Sequence, residues 1–279
     1  MIDQAPVRDA TETRLRRAYG FEEVALVPGA VTADPIEVDL AVEIGGFRLE
    51  IPFMAAAMDA VADADFAIRM SRNGGVAFVN LEGLYTRYED AGSIIERVAA
   101  AESAQAAGHI LAEAYEQPVR DELITALITR IKAQGALAAV STTPASAWHH
   151  AELAADAGAD LLLVQSQVSS ARHISTSTRV LSLADLTGGL KLPVLVGNTV
   201  SGEAAYQLMH QGAAGIFVGV GPGAACTTRE VLGIGVPQVS ATLEVAAARD
   251  RYERENGRYV PIVTDSGIQK GGNITNAID

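Results

Sequence analysis

A (β/α)8 TIM barrel, an α/β fold built on a parallel sheet, is the architecture this sequence predicts. Short β-branched or leucine-rich runs alternate with alanine-rich amphipathic segments, which is the pattern of successive βα units. The strand runs are apolar throughout rather than alternating, as in strands covered on both faces. The 279 residues show no composition break and no linker, which suits one barrel of about 250 residues with a short extension. A doubly wound sheet is the weaker alternative, because no GxGxxG follows the first strand.

Residues 1–50 read as an N-terminal arm whose short strands pack on the barrel: Val24–Val27, Val38–Val42 and Phe47–Glu50, with a turn at Gly45-Gly46. Residues 51–279 form the barrel domain. Its strands are expected at Ile51–Met54, Gly75–Asn80, Leu137–Ser141, Leu161–Gln165, Pro193–Gly197, Gly215–Gly219 and Tyr259–Thr264. Among the helices, Thr143 is expected to cap one, with Pro144 in its first turn and Gly158 after its last. Ser201 caps a second, whose Ala204, Ala205, Leu208 and Met209 make an apolar stripe. A third runs from about Ser240 to Glu255 and stops at Asn256-Gly257. Seven βα units are visible, one short of closure, and Asp279 falls within the helix expected after the seventh strand. The first and seventh strands would then present open edges, so a longer gene product or another closing segment is expected.

Composition narrows the function. With Lys+Arg 21 against Asp+Glu 34 the net charge is −13, without the basic footprint that nucleic acid or an anionic membrane requires. No apolar run approaches 18 residues and the first 20 residues lack a signal core, so a cytoplasmic protein without a membrane span is expected. The single cysteine excludes an internal disulfide framework and fits a reducing compartment.

In a barrel the chemistry lies in the loops after the strands. Three loops stand out: Gly197-Asn198-Thr199, the stretch from Gly219 to Thr228, and Asp265-Ser266-Gly267. The lone Cys226 is either a small buried hydrophobe or a nucleophile. Alternating glycines that admit a ligand to the backbone, followed by Thr227-Thr228-Arg229, favour the nucleophile, with a depressed thiol pKa. Asp265 is either a helix cap or a carboxylate accepting both hydroxyls of a ribose, with the amides of Ser266 and Gly267 then free to meet a phosphate.

The run GVGPGAACTTREVLGIGVPQ resembles the active-site loop of the IMP dehydrogenase/GMP reductase family, supported by FEEVALVPG, AAMDAV at 56–61, VGN at 196–198 and the Asp265-Ser266-Gly267 turn. NLEGLYTRYED at 80–90, and the absence of an inserted CBS pair, look like the short bacterial branch of that family. The resemblance implies an NAD(P)-dependent oxidoreductase in which Cys226 attacks C2 of a purine nucleoside monophosphate (IMP, GMP or XMP), giving a covalent thioimidate. It implies that Thr228 helps move protons and that Met58 and Asn198 contact the base and order the site. Asp265, Ser266 and Gly267 would hold ribose and phosphate, while Gln165 and Ser166 would face NADPH or NAD. Carbonyls of Gly221, Gly223 and Cys226 match a potassium site, and a homotetramer or larger assembly is implied.

Departures from the family pattern are visible. Ala224 replaces a phosphate-contacting serine, Ser266 replaces a glycine, and Gln165-Ser166-Gln167 stands where dehydrogenases carry Asp-Ser. The eighth strand, the flap and the C-terminal acid/base residues have no counterpart before Asp279. GMP reduction is favoured over IMP oxidation by the CBS-less layout. A nucleotide-binding protein without turnover is the alternative of another class, and a phosphate-binding barrel of unrelated chemistry a third. Elsewhere, His149-His150 are expected on different helix sides with no metal spacing, and Arg249–Arg258 as a solvated helix face. Arg87 and Glu89 read as either an oligomer contact or loop charge; Met54 and Met58, by spacing alone, as core fillers.

Overall fold

The computed structural model describes residues 16–170, 172–174, 180–224 and 226–278. The start of the expected N-terminal arm, Ala225 of the cysteine loop and the terminal Asp279 lie outside them. Two strands, β1 (Val42–Ile44) and β2 (Phe47–Leu49), form an antiparallel hairpin over Gly45-Gly46. Seven parallel strands follow in chain order: β3 (Met54–Ala55), β4 (Val76–Asn80), β5 (Ala139–Thr142), β6 (Leu161–Gln165), β7 (Val194–Thr199), β8 (Gly215–Val218) and β9 (Ile262–Thr264). Each pairs with its predecessor, and β3 and β9 are the edges, as in seven consecutive units of a (β/α)8 barrel.

The strands lack polar alternation because both faces are covered. Inward, Val76, Phe78, Leu161, Leu163, Leu195 and Phe217 share one cluster with Ile44 and Leu49 of the hairpin. Phe78 and Phe217 meet edge to face at 5.6 Å across it. Outward, Ala77, Val79, Leu162, Val164, Ile216 and Val218 pack under the helices. The hairpin plugs the end of the barrel where the strands begin: a Cβ at Gly45 would lie 2.6 Å from Leu161 and 2.9 Å from Pro193. The opposite end, where the strands finish, is left for chemistry.

Ten helices complete the described chain: α1 (Ala64–Arg72), α2 (Ala91–Ala99), α3 (Ala104–Tyr115), α4 (Asp121–Lys132), α5 (Ala147–Asp156), α6 (Leu183–Gly189), α7 (Gly202–His210), α8 (Thr228–Leu232), α9 (Gln238–Asn256) and α10 (Gly271–Ile278). Ser201 caps α7 by accepting from the Ala204 amide at 3.3 Å. Gly257, at φ +69°, ends α9 in the left-handed conformation. Among the described residues no helix is long and apolar enough to cross a membrane.

Several expectations are corrected. Thr143 does not cap α5, which begins at Ala147; its amide and hydroxyl are taken by Glu82 at 3.1 and 2.9 Å. Val24–Val27 is not a strand: it has no pairing partner, and Val27 is 89% exposed. Pairing expected from Val38 begins only at Val42, and α9 starts at Gln238 rather than Ser240. The arginines between 249 and 258 do more than solvate a face. The Arg251 guanidinium sits 4.4 Å from the Tyr206 ring centre, and Arg258 donates to the carbonyls of Met209 at 2.7 Å and Ala213 at 3.2 Å. Arg87 and Glu89 are not partnerless loop charge. Arg87 donates to the Glu82 carbonyl at 3.1 Å and Glu89 pairs with Arg120 at 3.3 Å, both within the chain.

Candidate active site

The finishing ends of β6, β7, β8 and β9 bring most of the expected residues together. A register shift between Val196 and Thr199 turns the Asn198 side chain toward the end of the barrel. The Asn198 amide nitrogen donates to Asp265 Oδ2 at 2.7 Å and to the Gly219 carbonyl at 2.9 Å. Gln165, last residue of β6, donates from Nε2 to Asn198 Oδ1 at 2.6 Å and to Asp265 Oδ2 at 3.2 Å. Asp265 is itself anchored by its amide, which donates to the Val218 carbonyl at 2.8 Å. The three side chains form a closed network in which every polar hydrogen of the Asn198 amide has an acceptor. Ser166 turns away from it, donating to the Val168 carbonyl at 3.0 Å.

After Asp265 the backbone is left-handed twice, at Ser266 (φ +78°) and Gly267 (φ +79°). This unusual pair folds the loop back over the cysteine loop. A Cβ placed on Gly223 would lie 3.6 Å from both Cys226 Cβ and Ser266 Cβ, so Gly223 fills the space between the two loops. Gly219, at φ +149°, could not carry a side chain, because a Cβ would collide with the Asp265 carbonyl and lie 2.9 Å from Gln238 Oε1.

Cys226 is exposed and not a core residue. Its amide closes a tight turn onto the Gly223 carbonyl at 3.0 Å. Its Sγ stands 3.2 Å from Oγ1 of Thr228, the buried first residue of α8. The thiol pKa is lowered, first by the hydrogen bond the Thr228 hydroxyl gives the thiolate, then by the Thr228 and Gly221 amides and the charge of Arg229. Such donors favour the ionised form that a thiol nucleophile requires.

Met58 lies on the loop after β3, at the other edge of the sheet from Asp265, and is 57% exposed, so the core-filler reading fails for it while Met54 packs inward. His149 and His150 differ in setting though their ring centres are 5.7 Å apart: His149 meets Asp121 at 2.9 Å outside, and His150 is buried against Thr142 at 2.7 Å. Among the described residues no three His, Cys, Asp or Glu side chains are grouped to hold a metal.

Two features beside the site carry little local signal in the sequence. Gln238, 1% exposed, donates to the Val218 carbonyl at 2.7 Å and supports the cysteine loop from below. A cavity of about 640 Å³ opens next to Ser166, lined by Thr143, Pro144, Ser169, His173, Leu181 and Leu208 among others. The position of Gln238 directly after Pro237, at a helix start, was its one available hint.

The IMP dehydrogenase / GMP reductase domain profile matches residues 18–279. An uncharacterized oxidoreductase of Mycolicibacterium smegmatis is 35% identical over 269 residues, covering 94% of this chain and 72% of the relative. An inosine-5'-monophosphate dehydrogenase of Cryptosporidium parvum is 27% identical, over 92% of this chain and 64% of its own. The crystal structure of an IMP dehydrogenase/GMP reductase-like protein from Corynebacterium glutamicum superposes with a TM-score of 0.88 at 34% identity, covering 95% of this chain and 70% of that one. With the profile spanning nearly the whole barrel and its cysteine loop, the chain belongs to the IMP dehydrogenase/GMP reductase family of oxidoreductases.

Proposed function

We propose that the protein is an NAD(P)-dependent purine nucleoside monophosphate oxidoreductase acting through Cys226, with reduction of GMP to IMP favoured over oxidation of IMP to XMP. The observation that carries the reading is an exposed, acidified thiol on a glycine loop, folded against a carboxylate loop fit to grip a nucleotide. Asp265 would accept the ribose hydroxyls, with its carboxylate oriented by Asn198 and Gln165. The amides of Ser266 and Gly267 would meet the phosphate, and Met58 the base.

The Cys226 thiolate then adds to C2. With GMP, the C2–N bond breaks and the amino group leaves as ammonia. A hydride delivered to C2 breaks the C–S bond and releases IMP and the thiolate. With IMP, C2 loses its hydrogen as hydride after thiolate addition, and water displaces the sulfur to give XMP. The nicotinamide dinucleotide, when bound, supplies or takes that hydride. Gln165 and Ser166 remain its proposed contacts. Thr228 is placed to exchange a proton at the sulfur. A potassium ion is proposed at the carbonyls of Gly221, Gly223 and Cys226, where the Gly223 carbonyl, bonded to one amide, keeps a lone pair free. Assembly as a homotetramer in the cytoplasm completes the proposal, supported by an apolar arm with Val27, Val31 and Ile36 exposed at 89, 89 and 95%.

The test is turnover of GMP with NADPH, and of IMP with NAD, followed at 340 nm, with Cys226→Ala expected to abolish whichever occurs. Turnover undiminished in Cys226→Ala would overturn the mechanism. A second reading, nucleotide binding without turnover, is favoured by the Gln165 amide standing where the family's dehydrogenases carry a carboxylate. A 6-chloropurine ribonucleotide separates the two: it labels a reactive Cys226 and binds without labelling in a sensor.

A further inference from the structure

The chain between β4 and α4 leaves the barrel as an excursion. Its helices α2 and α3 pack on one another around Leu84, Ala91, Ile94 and Ala114, separate from the barrel core. The excursion returns to the barrel at Asp59, the residue after Met58. Tyr115, the last residue of α3, donates its phenol hydrogen to Asp59 Oδ2 at 2.6 Å, and the Leu84 amide donates to the same oxygen at 2.8 Å. Tyr115 is held in turn by Arg87, whose guanidinium lies 5.1 Å from its ring centre and donates to the carbonyls of Tyr115 and Gln117. Burial and the bond to Asp59 both raise the phenol pKa, so Tyr115 remains a donor across the physiological range.

The other carboxylate oxygen, Asp59 Oδ1, is buried and has no hydrogen-bond partner among the described residues. It is pressed against Gly83, where an added Cβ would collide with it. All compensation for this carboxylate therefore passes through Oδ2, and loss of the phenol leaves it a single donor. Asp59 lies within the same tight turn as Met58. The loop is one hydrogen-bonded turn, with the Met58 amide on the Ala56 carbonyl at 2.8 Å, and the Val61 and Ala62 amides on the Met58 carbonyl at 2.8 and 2.9 Å.

We propose that Tyr115 is a positioning residue for the nucleotide site: by holding Asp59 it sets the Met58 loop, and through that loop the α2–α3 excursion governs the fit of the purine base. This rests on the purine reading above, in which Met58 meets the base. Its effect falls on nucleotide affinity more than on the chemical step.

The test uses the whole chain labelled at its methionine methyl groups, five residues of which Met58 is assigned with Met58→Leu. Tyr115→Phe is expected to shift the Met58 methyl resonance without nucleotide, leave that of Met209 in place, and raise the Kd for GMP or IMP about tenfold at unchanged kcat. Gly83→Ala, which displaces the same carboxylate from its other side, is expected to shift Met58 likewise. A Met58 signal unmoved in Tyr115→Phe, or a moved signal with unchanged Kd, overturns the proposal. If the wild-type protein binds neither GMP nor IMP, the purine reading falls. The Met58 shift alone then decides whether Tyr115 sets this loop.

Discussion

Asn198 and Asp265 are joined by a 2.7 Å hydrogen bond that passes over the end of β8, the strand lying between theirs. Gly219, the residue after β8, leaves room for the Asp265 backbone, with whose carbonyl a Cβ there would collide, and its own carbonyl takes the second amide hydrogen of Asn198. Gln165 reaches the same carboxylate from one strand further along the sheet. Three loops distant in sequence are thereby held in one arrangement before any ligand arrives, which lowers the ordering cost of binding.

Gln165→Glu tests that network. The substitution replaces a donor with a second carboxylate facing Asp265, so a hydrogen bond becomes a like-charge contact. Nucleotide affinity measured by calorimetry is expected to fall at least about tenfold, with recovery as pH is lowered and one carboxylate protonates. Unchanged affinity at neutral pH would show that Asp265 does not depend on Gln165 for its role.

The thiol of Cys226 gives a second prediction. Its lowered pKa comes first from the Thr228 hydroxyl, so alkylation by iodoacetamide is expected to inflect below the roughly 8.5 of a free cysteine. In Thr228→Val, a change of equal shape in a buried position, the inflection moves to higher pH and the rate at pH 7 drops several-fold as the thiolate fraction falls. A wild-type inflection above 9 would contradict the assignment of Cys226 as an activated nucleophile.

How far the sequence reveals this arrangement depends on the range of the contacts involved. Strand β6 runs over Leu161–Gln165, as its apolar run predicts, because central strands are specified by continuous burial. The edge strands are less well specified, since each has a neighbour on one side only: β9 is shorter than the expected Tyr259–Thr264, and β3 is displaced from the expected Ile51–Met54 to Met54–Ala55. Cys226, Asn198 and Asp265 were legible because each sits in a short glycine-bearing motif after a strand. Tyr115 was not. Its partner Asp59 is 56 residues away, and nothing local distinguishes Tyr115 from any tyrosine at a helix end. Thr143 misled for the opposite reason: Thr143-Pro144 has the local form of a cap, but Glu82, arriving from the end of β4, takes the threonine first.

Ser266 predicts a gain of stability. A residue with a Cβ at φ +78° pays about 1–2 kcal/mol relative to its ordinary conformations, whereas glycine is at ease there. Its hydroxyl returns part of this by donating to Asp265 Oδ1 at 3.2 Å, an exposed bond of modest worth. Ser266→Gly is therefore expected to stabilise the fold by about 0.5–1 kcal/mol in urea denaturation, and Ser266→Val to destabilise it. A loss of stability in Ser266→Gly would mean that the hydroxyl bond outweighs the backbone strain.

His150 and Glu82 predict how the fold fails in acid. His150 is buried beside the Thr142 hydroxyl, 2.7 Å from its Nδ1, and burial lowers its pKa against the opposing pull of Glu82. Between that lowered value and 6.5, the unfolded chain binds a proton that the native one does not, so stability falls as pH falls through this window. Burial acts to raise the Glu82 pKa, but hydrogen bonds from Thr143 and Thr142 outweigh it and hold it below 4.5. Glu82 therefore adds a second loss of the same sign as pH falls further. His150→Gln can still bond Thr142 but cannot titrate. Its urea midpoint is expected to stay flat from pH 6.5 to 5, where that of the wild type declines, and to fall only at lower pH as Glu82 and other carboxylates protonate. Parallel declines in the two proteins above pH 5 would place the acid-sensitive group elsewhere than at the α5–β4 contact.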